Sequence, residues 1–242
     1  MSVAFQSVTT SPLDAVRRTL APGLAAVRRF WRPFVLLQAA ALLLVIAYFN
    51  VPAVAVACDR MSAFKQHAGL LFSAISAAVA GAVLPELAKA AVMGDRAVDR
   101  RRVRNVAFAV AVFALNGIIN DLQYRGMAVV FGDDNRWPTV LKKVLADQFI
   151  TTPLYGTPYW LVVYALRADR YRPWRTLPRL TPAWYVRTVT PLLVTGWAFW
   201  LPMSALLYSL PGPLQFGLFL LAVAAWSLLM VAVAADAKPD VA

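Results

Sequence analysis

The chain has 242 residues, 60% of them hydrophobic and 15% charged, with a mean hydropathy of +0.61. An ordinary soluble domain carries about 25% charged residues, so this composition points to a bilayer environment and away from a water-facing fold. The net charge of +12 does not make a nucleic-acid binder, because the arginines sit between apolar runs and not along one amphipathic face with aromatics for bases to stack on.

Residues 1–33 form a basic segment. Ser11 is a good N-cap with Pro12 at the first helical position, and Pro22 and Gly23 interrupt before a second stretch. Arg17, Arg18, Arg28 and Arg29 against Leu13, Val16, Leu20, Leu24 and Val27 predict a basic amphipathic helix on an anionic inner leaflet. An Arg-rich, acid-poor start also fits a mitochondrial presequence, and no cleavable secretory signal is expected.

Apolar runs then predict six crossings at about 34–51, 68–91, 105–131, 144–166, 188–209 and 213–235. The stretch from Thr188 to Ala235 has no charged residue and is divided only by Pro-Gly-Pro at 211–213, read as a tight hairpin or a break. With the N-terminus inside, most Lys and Arg fall on inner segments, at Arg17 to Arg32, Lys89 to Arg104, Arg167 to Arg187 and Lys238. Fewer fall outside, at Arg60, Lys65, Arg136, Lys142 and Lys143. This asymmetry predicts an all-α polytopic transmembrane bundle of about six spans with both termini cytoplasmic. Trp31, Tyr48, Trp137, Trp174, Trp184 and Tyr185 fall where headgroups should lie.

In the second run Ser73, Ala77 and Gly81 recur every fourth residue, a small-residue ridge for helix packing within the chain or between copies. Glu86 and Lys89 lie one turn apart near its end. The third run carries an unexpected polar stripe. Asn116, Asn120 and Tyr124, and beside them Gly117, Asp121 and Arg125, form two adjacent rows on one helical face, opposite Ile118, Ile119 and Leu122. The fourth run repeats the device with Lys143 and Asp147 one turn apart, followed by Gln148, Thr151 and Thr152.

Charges near a bilayer centre cost roughly 2.5 to 3.5 kcal/mol each, so these side chains must pair or meet water. Arg125 is expected to face Asp147, with Asp121 and Lys143 completing a four-charge cluster. Such a cluster serves equally as glue between helices or as the wall of a water-filled passage. Pro153, Pro158, Pro191 and Pro202 each remove a helical hydrogen bond, which is tolerated where a helix lines a cavity and also in simple kinks.

Over about 70–230 these motifs resemble the small integral membrane proteins of mitochondria and peroxisomes typified by the 22 kDa peroxisomal membrane protein, the Mpv/PMP family. That family's Arg-x-Arg, with a following Gly and Tyr, matches Arg102, Arg104, Gly117 and Tyr124. Its Lys-x-x-x-Asp-Gln, with a later Pro, matches Lys143, Asp147, Gln148 and Pro153, and its late tryptophans match Trp197, Trp200 and Trp226. Departures fall at Ile118, Asp121, Gln123, Ala82, Ser204 and Leu207, and the run at 34–51 is additional.

The resemblance implies a distant, bacterial member with weakly selective, channel-like passage of small solutes, and it implicates Lys143, Asp147 and Gln148 above Asp121. The expected divisions are a basic segment at 1–33, an extra transmembrane helix and outer loop at 34–66, a helical membrane domain at 67–235 and a polar tail at 236–242.

Chemistry by side-chain catalysis is not expected. There is no nucleotide loop and no nucleophile–base set around His67, the sole histidine; with Cys58 the sole cysteine, neither a disulfide nor a Cys/His metal cage can form. Asp133 and Asp134 read as a turn, and no cofactor or metal is expected. Two functions stay open: passage of small hydrophilic solutes or ions past Asn116, Asn120, Asp121, Arg125, Lys143, Asp147 and Gln148, or a noncatalytic scaffold or lipid-interacting protein with the same residues as glue. Expected partners are membrane lipids, with anionic headgroups at the inner basic loops, and a second copy of the chain; nucleic acid is not expected. The expected location is a bacterial plasma membrane, or alternatively the mitochondrial inner or peroxisomal membrane.

Overall fold

A computed structural model describes residues 12–92 and 99–236, and among these the chain is all helical. Seven helices follow in order: α1 (Pro12–Asn50), α2 (52–92), α3 (Arg100–Phe131), α4 (137–168), a short α5 (Pro173–Thr176), α6 (182–209) and α7 (Gly212–Asp236). Residues 1–11, the Arg17 and Arg18 side chains, Arg96, and the tail beyond Asp236, with Lys238, lie outside the description.

Local signals account for most boundaries. The backbone of α1 runs through Pro22 and Gly23 as one helix, and Pro52 at the first turn starts α2 directly after Val51. Asp99 caps α3 by accepting from the Arg102 backbone N–H at 2.6 Å, and Gly132, at φ 100, ends it. Asp134 accepts from the Arg136 backbone N–H at 2.9 Å and the Thr139 hydroxyl at 3.1 Å, fixing the entry to α4. Thr181 caps α6 through the Trp184 backbone N–H at 3.1 Å. Leu210 and Pro211 make the expected tight break before Gly212.

The expectation of six crossings is corrected. Among the described residues, three helical stretches are long and apolar enough to cross a membrane: Pro52–Ala91 (40 residues), Arg100–Phe131 (32) and Pro182–Ser209 (28). Phe34–Asn50 and Leu214–Leu228 are shorter apolar stretches among the described residues, lying within the longer helices α1 and α7. The expected span at 144–166 is not among them: α4 is helical throughout, but Asp147, Gln148, Thr151, Thr152, Pro153 and Pro158 dilute its apolar character. The expected outer loop at 52–66 is helix, so the second run gains length at its expense. An even number of crossings no longer follows, and the orientation derived from it, with both termini inside, falls with it.

Two compact units divide the chain. The first comprises 33–147 and 201–236. In it α2 and α3 pack along one another and α7 covers both. An added Cβ at Gly117 would strike the Ser73 carbonyl and the Ala77 methyl, and one at Gly81 would strike the Phe113 ring. The ridge of small residues is thus where α3 comes closest to α2. Glu86 ties the far end of this seam, accepting from Arg102 Nε at 2.6 Å and pairing with Lys89 at 3.4 Å. Phe34 of α1 packs on Trp226 of α7, ring centroids 5.6 Å apart.

The second unit comprises 12–32 and 148–200. Its ties run between the π-helical part of α4 and the start of α6. The Tyr185 hydroxyl donates to the Pro153 carbonyl at 3.0 Å, and Trp197 Nε1 donates to the Gln148 carbonyl at 2.9 Å. In the connection between α4 and α5, Asp169 accepts from the Thr176 hydroxyl at 2.7 Å and from Arg179 at 3.3 Å.

Candidate functional site

In the first unit the polar stripe of α3 faces inward. Asn116, Gly117, Asp121 and Tyr124 are buried, as the two adjacent helical rows require. Asn120 turns back on its own helix, its amide donating to the Asn116 carbonyl at 2.8 Å.

Asp121 has no solvent exposure. Its Oδ1 accepts from Lys65 Nζ at 2.6 Å, and its Oδ2 accepts from the Ser73 hydroxyl at 3.0 Å and from Arg125 Nη2 at 2.9 Å. Lys65 also lies 4.4 Å from the Phe216 ring centroid, where the ring face attracts a cation. One carboxylate against two cations leaves this group with an excess positive charge, carried outward by Arg125, whose side chain is 55% exposed.

Asp147, also buried, is a second centre. Its Oδ1 accepts from Gln123 Nε2 at 2.7 Å, and its Oδ2 accepts from the Tyr208 and Ser204 hydroxyls at 3.3 and 3.4 Å. The Tyr208 ring meets Tyr124 edge-on at 5.8 Å, so α3 and the last turns of α6 touch between the two carboxylates. Lys143 is 1% exposed and places its ammonium 6.0 Å from the Tyr208 ring centroid. Among the described residues it forms no ion pair; the charges that act on it are Asp133 and Asp134 at the entry to α4.

The expected single cluster therefore resolves into two centres. Arg125 does not face Asp147; it bonds Asp121 one turn back on its own helix at 2.9 Å. Lys143 and Asp147 do not pair either. The Asp147 N–H is shared between the Lys143 and Val144 carbonyls where the helix widens, and a π turn moves side chains four apart out of line. Gln148 is buried but belongs to the second unit, where its carbonyl receives Trp197.

Sequence reasoning missed Lys65, Gln123, Ser204 and Tyr208, and gave Ser73 only a packing role. No helical row pointed to Lys65: Gly69, at φ 59, kinks α2 between it and the row of Ser73, Ala77 and Gly81, and the kink sets where Lys65 meets α3. Gln123 lies three residues after Asn120 and seven after Asn116, within the same stripe.

Chemically, the two centres hold charge and accept or relay hydrogen bonds. Among the described residues no three His, Cys, Asp or Glu side chains converge as metal ligands. No family model, no curated protein and no solved structure matches this chain.

Proposed function

We propose that this chain is an integral membrane protein that passes small hydrophilic solutes or ions in a channel-like manner, along polar groups between α3, the first half of α4 and the end of α6. One observation carries the reading. Within a single unit, buried polar side chains succeed one another: Lys143, then Tyr208, Asp147 and Gln123. Buried charges placed in sequence, and not in one closed pair, are the arrangement that intramembrane pathways use. The resemblance to the Mpv/PMP family implies the same activity and lends it weight on Lys143 and Asp147.

The test is solute release from liposomes holding the purified chain. Wild type releases a small polar solute, and Asp147→Asn, which keeps the shape but removes the charge and turns one acceptor into a donor, alters the rate or the preference among charged solutes. No release by folded protein, or identical behaviour of the variant, overturns the proposal.

A second reading, a noncatalytic membrane scaffold, is favoured at the Asp121 centre. There three donors satisfy the carboxylate, and Gly117 brings α3 against α2 with no room for solute. On that reading Asp147→Ala lowers folded yield and leaves permeability unchanged.

A further inference from the structure

The first unit also holds a cavity of about 260 Å³ between the end of α1, the start of α2 and the start of α7. Leu44, Cys58, Met61, Leu210, Leu214 and Leu221 are among its walls, and none of the polar groups along the proposed route lines it. A Cβ at Gly217 would come within 2.7 Å of the Met61 methyl, so the glycine gives that flexible side chain its place in the wall. Its walls are almost wholly apolar and offer an ordered water few of the hydrogen-bond partners it needs, so an apolar occupant suits it better.

Three observations select the occupant. Ala57, Cys58 and Met61 lie on the candidate span Pro52–Ala91, where the hydrocarbon at hand is a lipid chain. The cavity opens to the exterior, since Ala57 and Met61 are exposed. Beside it the Tyr48 hydroxyl donates to Asp59 at 3.3 Å, and the exposed neighbours Asp59 and Arg60 offer one charge of each sign, the complement of a zwitterionic headgroup. The geometry points to a binding site for one acyl chain of a zwitterionic phospholipid, its headgroup at the Asp59 end. This site rests on the membrane reading and is independent of conduction, because the cavity and the polar route share no residue.

The test uses the full chain in detergent, with dioleoyl phosphatidylethanolamine and dioleoyl phosphatidylglycerol as probes. Native mass spectrometry should retain one phosphatidylethanolamine per wild-type chain, and Leu221→Trp, which fills the cavity, should retain none while keeping its helical circular dichroism. Cys58, the sole cysteine, locates the site. Saturating phosphatidylethanolamine should slow its alkylation by N-ethylmaleimide about tenfold, as a ligand at ten times its Kd does for a site it covers. Asp59→Asn should weaken that protection without changing the rate in detergent alone. Equal protection by phosphatidylglycerol, no protection by either lipid, or retention of the lipid by Leu221→Trp overturns the inference. Liposome flux that persists in Leu221→Trp separates this result from any failure of the conduction reading.

Discussion

Asp121 is held by three donors with no contact to solvent, and the energetic consequence falls on Lys65. Removing one partner of a buried ion pair costs about 3 to 5 kcal/mol, whereas replacing both with apolar groups of similar size is often neutral. Asp121→Leu should therefore destabilise the protein by about that amount, and Asp121→Leu with Lys65→Met should recover a large part of it. Unfolding in mixed detergent micelles measures both; additive losses would show that the two residues do not interact.

Asp134 supplies a pH signature outside the candidate spans. The Arg136 backbone N–H and the Thr139 hydroxyl hold its carboxyl below the usual carboxylate value. A lowered folded-state pKa contributes stability above the unfolded value of about 3.9 and loses it as pH falls through the folded one. The difference in unfolding midpoint between wild type and Asp134→Ala should be constant from neutral pH to about pH 5 and close below about pH 4. A gap that is already closing near neutral pH would contradict this.

At the scale of elements, the seam between α2 and α3 depends on what is absent from glycine. Gly117→Ala puts a methyl against the Ser73 carbonyl and the Ala77 methyl, whereas Gly126, on the same helix, has nothing within 4 Å of an added Cβ. Gly117→Ala should cost about 1 to 3 kcal/mol by overpacking. Gly126→Ala should gain about 0.5 to 1 kcal/mol from helix propensity. Equal effects in detergent unfolding would refute the close approach. Gly69 has φ 59 and ψ −141 inside α2, where an L side chain is strained although the space beside it is open. Gly69→Ala should accordingly cost about 1 to 3 kcal/mol, read in the same assay.

The ridge at Ser73, Ala77 and Gly81 and the inward stripe at Asn116, Asp121 and Tyr124 were legible because helical periodicity sorts faces directly. The widening at Asp147 was not, since no residue pattern distinguishes a π turn from an α turn before packing is known. That local change is why Lys143 and Asp147, four apart, look paired in sequence and are not paired in space. Asp59, Arg60 and Lys65 read as loop because charge interrupts an apolar run, yet Lys65 is tolerated in a helix by a carboxylate 56 residues away. Such a partner is invisible to a sliding window.

For the whole molecule, composition was enough to give the all-helical class and helices long and apolar enough to cross a membrane. The number of crossings was not legible. Hydropathy counts apolar runs, and it could not see that 52–66 is helix. The two acid centres were legible as residues and illegible as partners: Asp121 and Asp147 stood out, whereas Tyr208 and Ser204 lie in an uncharged run that announces no polar role.

The polar groups leading from Lys143 to Asp147 are proposed to carry solute through a membrane. The most direct measurement is the conductance of the purified chain in a planar bilayer under a salt gradient, compared between wild type and Asp147→Asn. The claim predicts a conductance whose reversal potential moves when the Asp147 charge is removed. A silent bilayer holding folded protein, or a reversal potential indifferent to that charge, would contradict it.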